Sequence, residues 1–326
     1  MSERKHIASA PWIARLAVTF MALVSILPIA WARALGGCLG TLFAWLPGRQ
    51  RAVTQLNLKL CFPDMPDAER HRLVRRSLQE TGKILVECAS VWRLPVAKLE
   101  RLEEAVVGED LLHRALARGK GVMLLAPHLG NWEFLNHYLM RQAPFVCLYR
   151  PPRVAELDAV LRGARERTGA TLAPATPAGF RPVLRALHAG RLVMVLPDQE
   201  PLGSHGVHAP FFGIPALTMT LVARLLRRTG CEVLYVVAER RPAGRFRIRF
   251  LDAPAGLGDD DEVRAATQLN RGIEACVELC PEQYLWSYKR FSTAPPGEPT
   301  PYRAIWSRRR LRKNPRPPTS AAEPGA

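Results

Sequence analysis

Charge-free stretches come first along the chain, and an α/β alternation follows. Residues 16–32 contain no charged side chain, and a second charge-free run covers 34–48, with Arg15 and Arg33 flanking the first. As a helix, 16–32 would reach about 25 Å at ~1.5 Å per residue. That is slightly short of the ~30 Å hydrocarbon core of a bilayer, so the run predicts a marginal N-terminal membrane-anchor helix, spanning or lying in one leaflet. Ala30-Trp31-Ala32 also fits the A-x-A site of a cleaved signal peptide. Asp67 opens an amphipathic helix, with Glu69 in its first turn and Leu73, Leu78, Leu85, Cys88 and Trp92 on its apolar face.

From residue 121 the rhythm changes. Short apolar runs suited to buried strands (121–126, 144–148, 191–196, 232–239) alternate with helical stretches (132–140, 154–168, 179–189, 218–229). Residues 245–250 alternate Arg with Phe and Ile, as a strand nearer the sheet edge would. The pattern predicts an α/β fold, a mixed β-sheet covered by helices. The expected organisation is an anchor over 1–48, a catalytic domain over 49–302, and a basic, Pro-rich disordered tail over 303–326.

Charge and cysteine usage narrow the partners. A net charge of +17 favours acidic ones, such as phosphorylated lipids or an acidic carrier protein. Nucleic acid is disfavoured, because finger spacings are lacking and the aromatics sit in apolar runs rather than among basic residues. The seven cysteines are scattered, with no C-x-x-C. They read as reduced thiols packed as small hydrophobes, which favours a retained anchor and a catalytic body facing the cytosol. His205 and His208 lie in a Gly/Pro loop without a third ligand, so no metal and no cofactor is expected.

The candidate chemistry lies at Ala126-Pro127-His128-Leu129-Gly130-Asn131-Trp132-Glu133, where a buried strand runs through a turn into a helix. Ligands of open α/β sheets gather at such strand ends. His128 and Glu133 would point about 140° apart inside one helix, so they meet only if the turn folds His128 back. Glu133 could then orient the imidazole as a base, as the carboxylate of a Ser-His-Asp triad does. No G-x-S-x-G elbow supplies a nucleophile, which leaves a substrate hydroxyl or water in that place. A His/Glu pair of this kind is equally compatible with acyl transfer and with thioester or lipid hydrolysis. The bland alternative is a capping His128 and a surface Glu133 in a lipid- or carrier-binding protein. Arg150, Arg165 and Arg167 have the donor fork that suits phosphates or an oxyanion, and Asp198 follows a strand directly.

His128 to Glu133 resembles the H-x4-D/E motif of the glycerolipid acyltransferases, and more closely the late acyltransferases of lipid A biosynthesis, the lauroyl/myristoyl transferase family. The likeness extends to Asn57–Pro63 in order, Leu148-Tyr149-Arg150-Pro151, Arg165 and Arg167 before Gly169, Pro197-Asp198-Gln199, Pro210-Phe211-Phe212-Gly213, Pro281-Glu282-Gln283-Tyr284-Leu285-Trp286 and Lys289-Arg290-Phe291. Some members carry His where this chain has Gln199. The resemblance implies His128 and Glu133 as catalytic residues, with Asn131, Arg150, Arg165, Asp198 and Gln199 around the substrate. It further implies acyl carrier protein as donor, a phosphorylated, glucosamine-based lipid A precursor as acceptor, contact with membrane lipids, and a place at the cytoplasmic face of a bacterial inner membrane. Another glycolipid or a lysophospholipid is the alternative acceptor.

Overall fold

The computed structural model describes residues 11–152, 155–167, 169–201, 205–303 and 305, so most of the expected basic tail lies outside the described residues. Its elements run α1 (Pro11–Ile26), α2 (Ile29–Trp45), α3 (Arg49–Cys61), α4 (Asp67–Arg93), α5 (Val96–Glu100), β1 (Glu103–Val107), α6 (Glu109–Ala117), β2 (Val122–Leu125), α7 (Trp132–Gln142) and β3 (Phe145–Tyr149). Then follow α8 (Ala155–Glu166), β4 (Thr171–Pro174), α9 (Pro177–His188), β5 (Leu192–Val195), β6 (Gly206–Phe211), β7 (Ile214–Met219), α10 (Leu221–Thr229), β8 (Glu232–Arg240), β9 (Phe246–Asp252) and α11 (Glu262–Leu279).

Seven strands form one sheet in the order β1-β9-β8-β2-β5-β3-β4. All its pairings are parallel except β8 with β9. The central strands are buried on both faces, as parallel strands covered by helices must be. Met123, Leu125, Val193 and Val195 pack with Val183 and Leu187 of α9, Val222 of α10 and Ile273 of α11. Their neighbours Val122, Leu124, Leu192 and Met194 pack on the other face, against Leu112 of α6 and Phe134, Leu135 and Tyr138 of α7. The α/β expectation is met, and β9 lies second from the edge, with β1 outside it. The hairpin β6–β7 forms a separate antiparallel pair.

The expected single anchor helix is not formed. Pro28, with φ −54° and ψ 140°, caps α2 and breaks the apolar run, because an extended proline cannot continue α1. No single helix among the described residues is long and apolar enough to cross a membrane; α2 and α3 together reach that length but are bent by 80°. Instead, α2 lies directly on α4. A Cβ on Gly36 would come within 2.6 Å of the Lys83 Cα, and one on Gly40 would strike the backbone of Leu78 and Gln79. Gly40→Val should therefore pry α2 from α4, since overpacking costs about 1–3 kcal/mol. A thermal melt several degrees lower than wild type is the expected reading, and an unchanged melt would show that the close crossing is not needed. The outward side of α1 and α2 is apolar, with Trp12, Leu16, Phe20 and Leu23 of α1 and Trp31 and Trp45 of α2 exposed.

Candidate active site

Parallel register brings the central residues together. Leu125 of β2 faces Val195 of β5. Both chains leave the sheet through Pro, so His128 and Asp198 each stand three residues past a paired strand end, side by side at the carboxyl edge. The Asp198 carboxylate takes two bonds from the same residue: the His128 backbone N–H at 2.9 Å and ring Nδ1 at 2.7 Å. Burial pushes the Asp198 carboxyl up, but the His128 ring and N–H outweigh it and hold the group below the usual carboxylate range. Pairing with this carboxylate places the ring proton on Nδ1 and leaves the Nε2 lone pair as acceptor. The Gln199 amide nitrogen stands 3.1 Å from Nε2. Trp132 closes one side, its ring edge-on to the imidazole with centroids 4.8 Å apart.

The loop that carries His128 is fixed by its backbone. Leu285 N–H donates to the His128 carbonyl (3.0 Å), Gly130 N–H to Gln283 (3.1 Å) and Asn131 N–H to Ala238 (2.9 Å). Gly130 has φ +59°, and a Cβ there would collide with the Ala238 carbonyl, so a glycine is needed at this point of the turn. Gln283 is in turn held by both backbone groups of Arg240 (2.7 and 3.1 Å), which accounts for the 281–286 segment. Asn57 donates to the carbonyls of Trp286 and Tyr288 (2.8 and 2.7 Å), which accounts for the segment at 57–63.

Asn131 is not placed at a substrate surface. It is fully buried, caps α7 by accepting from Phe134 N–H at 3.1 Å, and donates to Glu87 at 3.1 Å. The wholly buried Glu87 also accepts from Arg240 (2.6 Å) and from Arg33 of α2. Burial pushes the Glu87 carboxyl up, and the two guanidinium groups hold it down. The apolar N-terminal helix is thus tied by charge to the motif loop.

No hydrogen bond joins Glu133 to His128, contrary to the expected orientation of the imidazole by this carboxylate. The Asn131 cap starts α7 at Trp132, which turns the Glu133 side chain away from the His128 ring and towards α4 and α8. There it accepts from Trp92 Nε1 (2.9 Å), Asn136 (3.3 Å) and Arg165 (3.0 and 2.5 Å). Burial raises the Glu133 carboxyl, but Arg165 first, then Trp92 and the charge of His128, bring it below its ordinary range. Burial likewise opposes the Arg165 charge, yet Glu133 leaves the guanidinium more firmly protonated than usual.

Arg165 therefore faces a carboxylate inside the protein rather than an incoming phosphate. Arg167 donates to the carbonyls of Trp92 and Leu94 (3.0 and 2.9 Å) and closes the end of α4. Arg290 is buried and bonded to Leu217, Thr218 and Asn270. Arg150 stands exposed at the carboxyl end of β3, on the same sheet edge as His128. His208 Nε2 contacts the Thr293 carbonyl at 3.1 Å.

The arrangement fixes one tautomer of the imidazole, with Nε2 as the acceptor facing the Gln199 side chain, the requirement of a general base once a substrate hydroxyl replaces that amide. The family described as bacterial lipid A biosynthesis acyltransferase matches residues 3–293 of the chain. The chain is 28% identical over 293 residues to the lipid A biosynthesis lauroyltransferase of Escherichia coli K12, covering 89% of this chain and 95% of that protein. It is 29% identical over 255 residues to the palmitoleoyltransferase of that organism (78% and 82% covered) and 25% identical over 297 residues to its myristoyltransferase (90% of each).

Proposed function

The chain belongs to the bacterial lipid A biosynthesis acyltransferase family, and from that premise we propose that it moves a fatty acyl group from an acyl-carrier-protein thioester to a hydroxyl of a phosphorylated, glucosamine-based lipid A precursor. The observation that carries the reading is the Asp198–His128 pair at the sheet edge, with Nε2 turned to Gln199. The acceptor hydroxyl takes the place of the Gln199 amide at Nε2 and gives up its proton as its oxygen attacks the thioester carbonyl. Imidazolium forms beside ionised Asp198, which stabilises it. When the tetrahedral intermediate collapses, the thiolate leaves and receives that proton. The exposed Arg150 offers its donor fork to a phosphate at this edge. Glu133 and Arg165 act from behind, fixing α7 and hence the Trp132 face against the ring.

Attachment to the cytoplasmic face of the inner membrane accords with the exposed aromatic and aliphatic side of α1 and α2 and with the net charge of +17. Mass spectrometry of lipid A from cells with and without the gene tests the function directly. The expected result is the loss of one acyl chain, whose mass also gives its length. Unchanged lipid A, together with steady hydrolysis of the thioester by pure protein, would instead assign the same His128 to activation of water.

A further inference from the structure

A cavity of about 370 Å³ lies between α1, the end of α4 and α8. Its walls are Val18, Met21, Trp92 and Val160, and Arg93 and Arg167 stand among them as the charged groups. The volume is within the range of small-molecule sites, and an apolar lining with few polar groups is their usual character. It adjoins the Glu133–Arg165 pair, because Trp92 and Ala164 also line the small space around that pair. The Trp92 ring that walls the cavity donates its N–H to Glu133.

We propose that this cavity takes one acyl chain of the lipid acceptor, with an acceptor phosphate near Arg93 and Arg167; the inference rests on the acyltransferase reading above. Three observations select this occupant. The wall formed by Val18 and Met21 belongs to α1, whose neighbouring Leu16, Phe20 and Leu23 are exposed and apolar. A chain already resident in lipid therefore reaches the cavity without crossing water, whereas a chain carried by a soluble protein does not. Arg93 and Arg167 set two exposed guanidinium groups beside that apolar wall, as a phosphorylated headgroup carrying its own chain requires. Finally, the Trp92 side chain in the cavity wall donates its indole N–H to Glu133 in the first turn of α7, which links the cavity to the helix that follows the His128 loop.

Gly163 offers a clean test. It lines the cavity, and a Cβ built there meets no atom within 4 Å, so a larger side chain enters open space. The position is helical, where leucine is favoured over glycine, so Gly163→Leu should fold. The full chain would be assayed with intact lipid A precursor and with the same lipid stripped of its ester-linked chains by mild base. Gly163→Leu should raise KM for the intact acceptor about tenfold, leave KM for the stripped one unchanged, and leave the order of preferred donor chain lengths as in wild type. Equal KM for the intact acceptor would overturn the proposal, as would a changed donor preference, which would give the cavity to the donor chain. A photoreactive group at the end of an acceptor chain should label the peptide around 160–164, independently of turnover. Wild-type protein that transfers to no acceptor would overturn the function, while labelling of that peptide, or its absence, would still decide the cavity.

Discussion

His128→Ala should lower acyl transfer at least about a hundredfold, the lower end of what a positioned base contributes, and Asp198→Asn should come within about tenfold of it. The imidazole is useful only with its proton on Nδ1, and the Asp198 carboxylate at 2.7 Å sets that tautomer. Asparagine keeps the size but loses the charge. If its oxygen goes on accepting the His128 backbone N–H, its amide must face Nδ1 as a donor, and the proton is driven to Nε2, where the base is lost. The double variant should be little worse than His128→Ala, since residues acting as one unit are strongly non-additive. Because Asp198 is held below the usual carboxylate range, it stays ionised through the neutral region. Protonation of Asp198 therefore cannot account for a loss of activity near neutral pH, given an ordinary carboxylate value of about 3.9. Near-wild-type transfer by Asp198→Asn would show that another group orients the ring. Single-turnover rates on protein with an unchanged melt would measure all three variants.

The partner of His128 was hidden by distance along the chain, not by chemistry. A search near the motif finds Glu133 five residues on, whereas Asp198 lies 70 residues away. What joins them is register: β2 and β5 are both short, wholly buried runs, and each ends in Pro followed by a polar residue, Pro127-His128 and Pro197-Asp198. Two buried parallel strands with matching exits are a usable signal once they are taken as neighbours. Neighbourhood itself is set by packing that no local window contains. The same limit explains the hairpin. Phe212 at φ 49° and Gly213 at φ 76° form a tight two-residue turn between β6 and β7. A phenylalanine in the left-handed region is not the Asn or Gly such turns favour. It is held there by its N–H donating to Glu274 of α11 at 2.6 Å, a tertiary contact. By contrast, the buried strands β2, β3, β5 and β8 and the helices α7, α9 and α10 follow from apolar spacing, because burial on one face dictates it, whereas α11 does not appear in that reading. Among the cations, spacing could not tell a ligand-binding Arg from one that ends a helix. Arg290 spends its donors on groups of the fold, Arg167 gives its Nε and Nη2 to the carbonyls that end α4 while standing exposed, and Arg150 stands exposed at the sheet edge.

The Glu133–Arg165 pair should separate stability from catalysis. Glu133 is 3% exposed, and the Arg165 side chain 15%. Removing one member, by Glu133→Gln or Arg165→Met, leaves the other charge buried without its counter-ion, a loss of about 3–5 kcal/mol in comparable pairs. Each single variant should thus melt well below wild type. Glu133→Gln with Arg165→Met together removes both charges, and neutral packed replacements of buried pairs are often close to neutral in stability. The double variant should therefore regain most of the lost stability. Transfer should stay at least about tenfold down, because the Glu133 carboxylate feels the charge on His128 and its loss removes that support from the imidazolium. Acid titration gives a second reading. The folded Glu133 carboxyl lies below its unfolded value of about 4.3, so its contribution is fully present above that pH and is lost as the pH falls through the lower folded value. The double variant should lack this part of the acid dependence of unfolding. If it instead transfers acyl chains at the wild-type rate, Glu133 and Arg165 only brace α7 against α8, and catalysis rests on His128 and Asp198 alone.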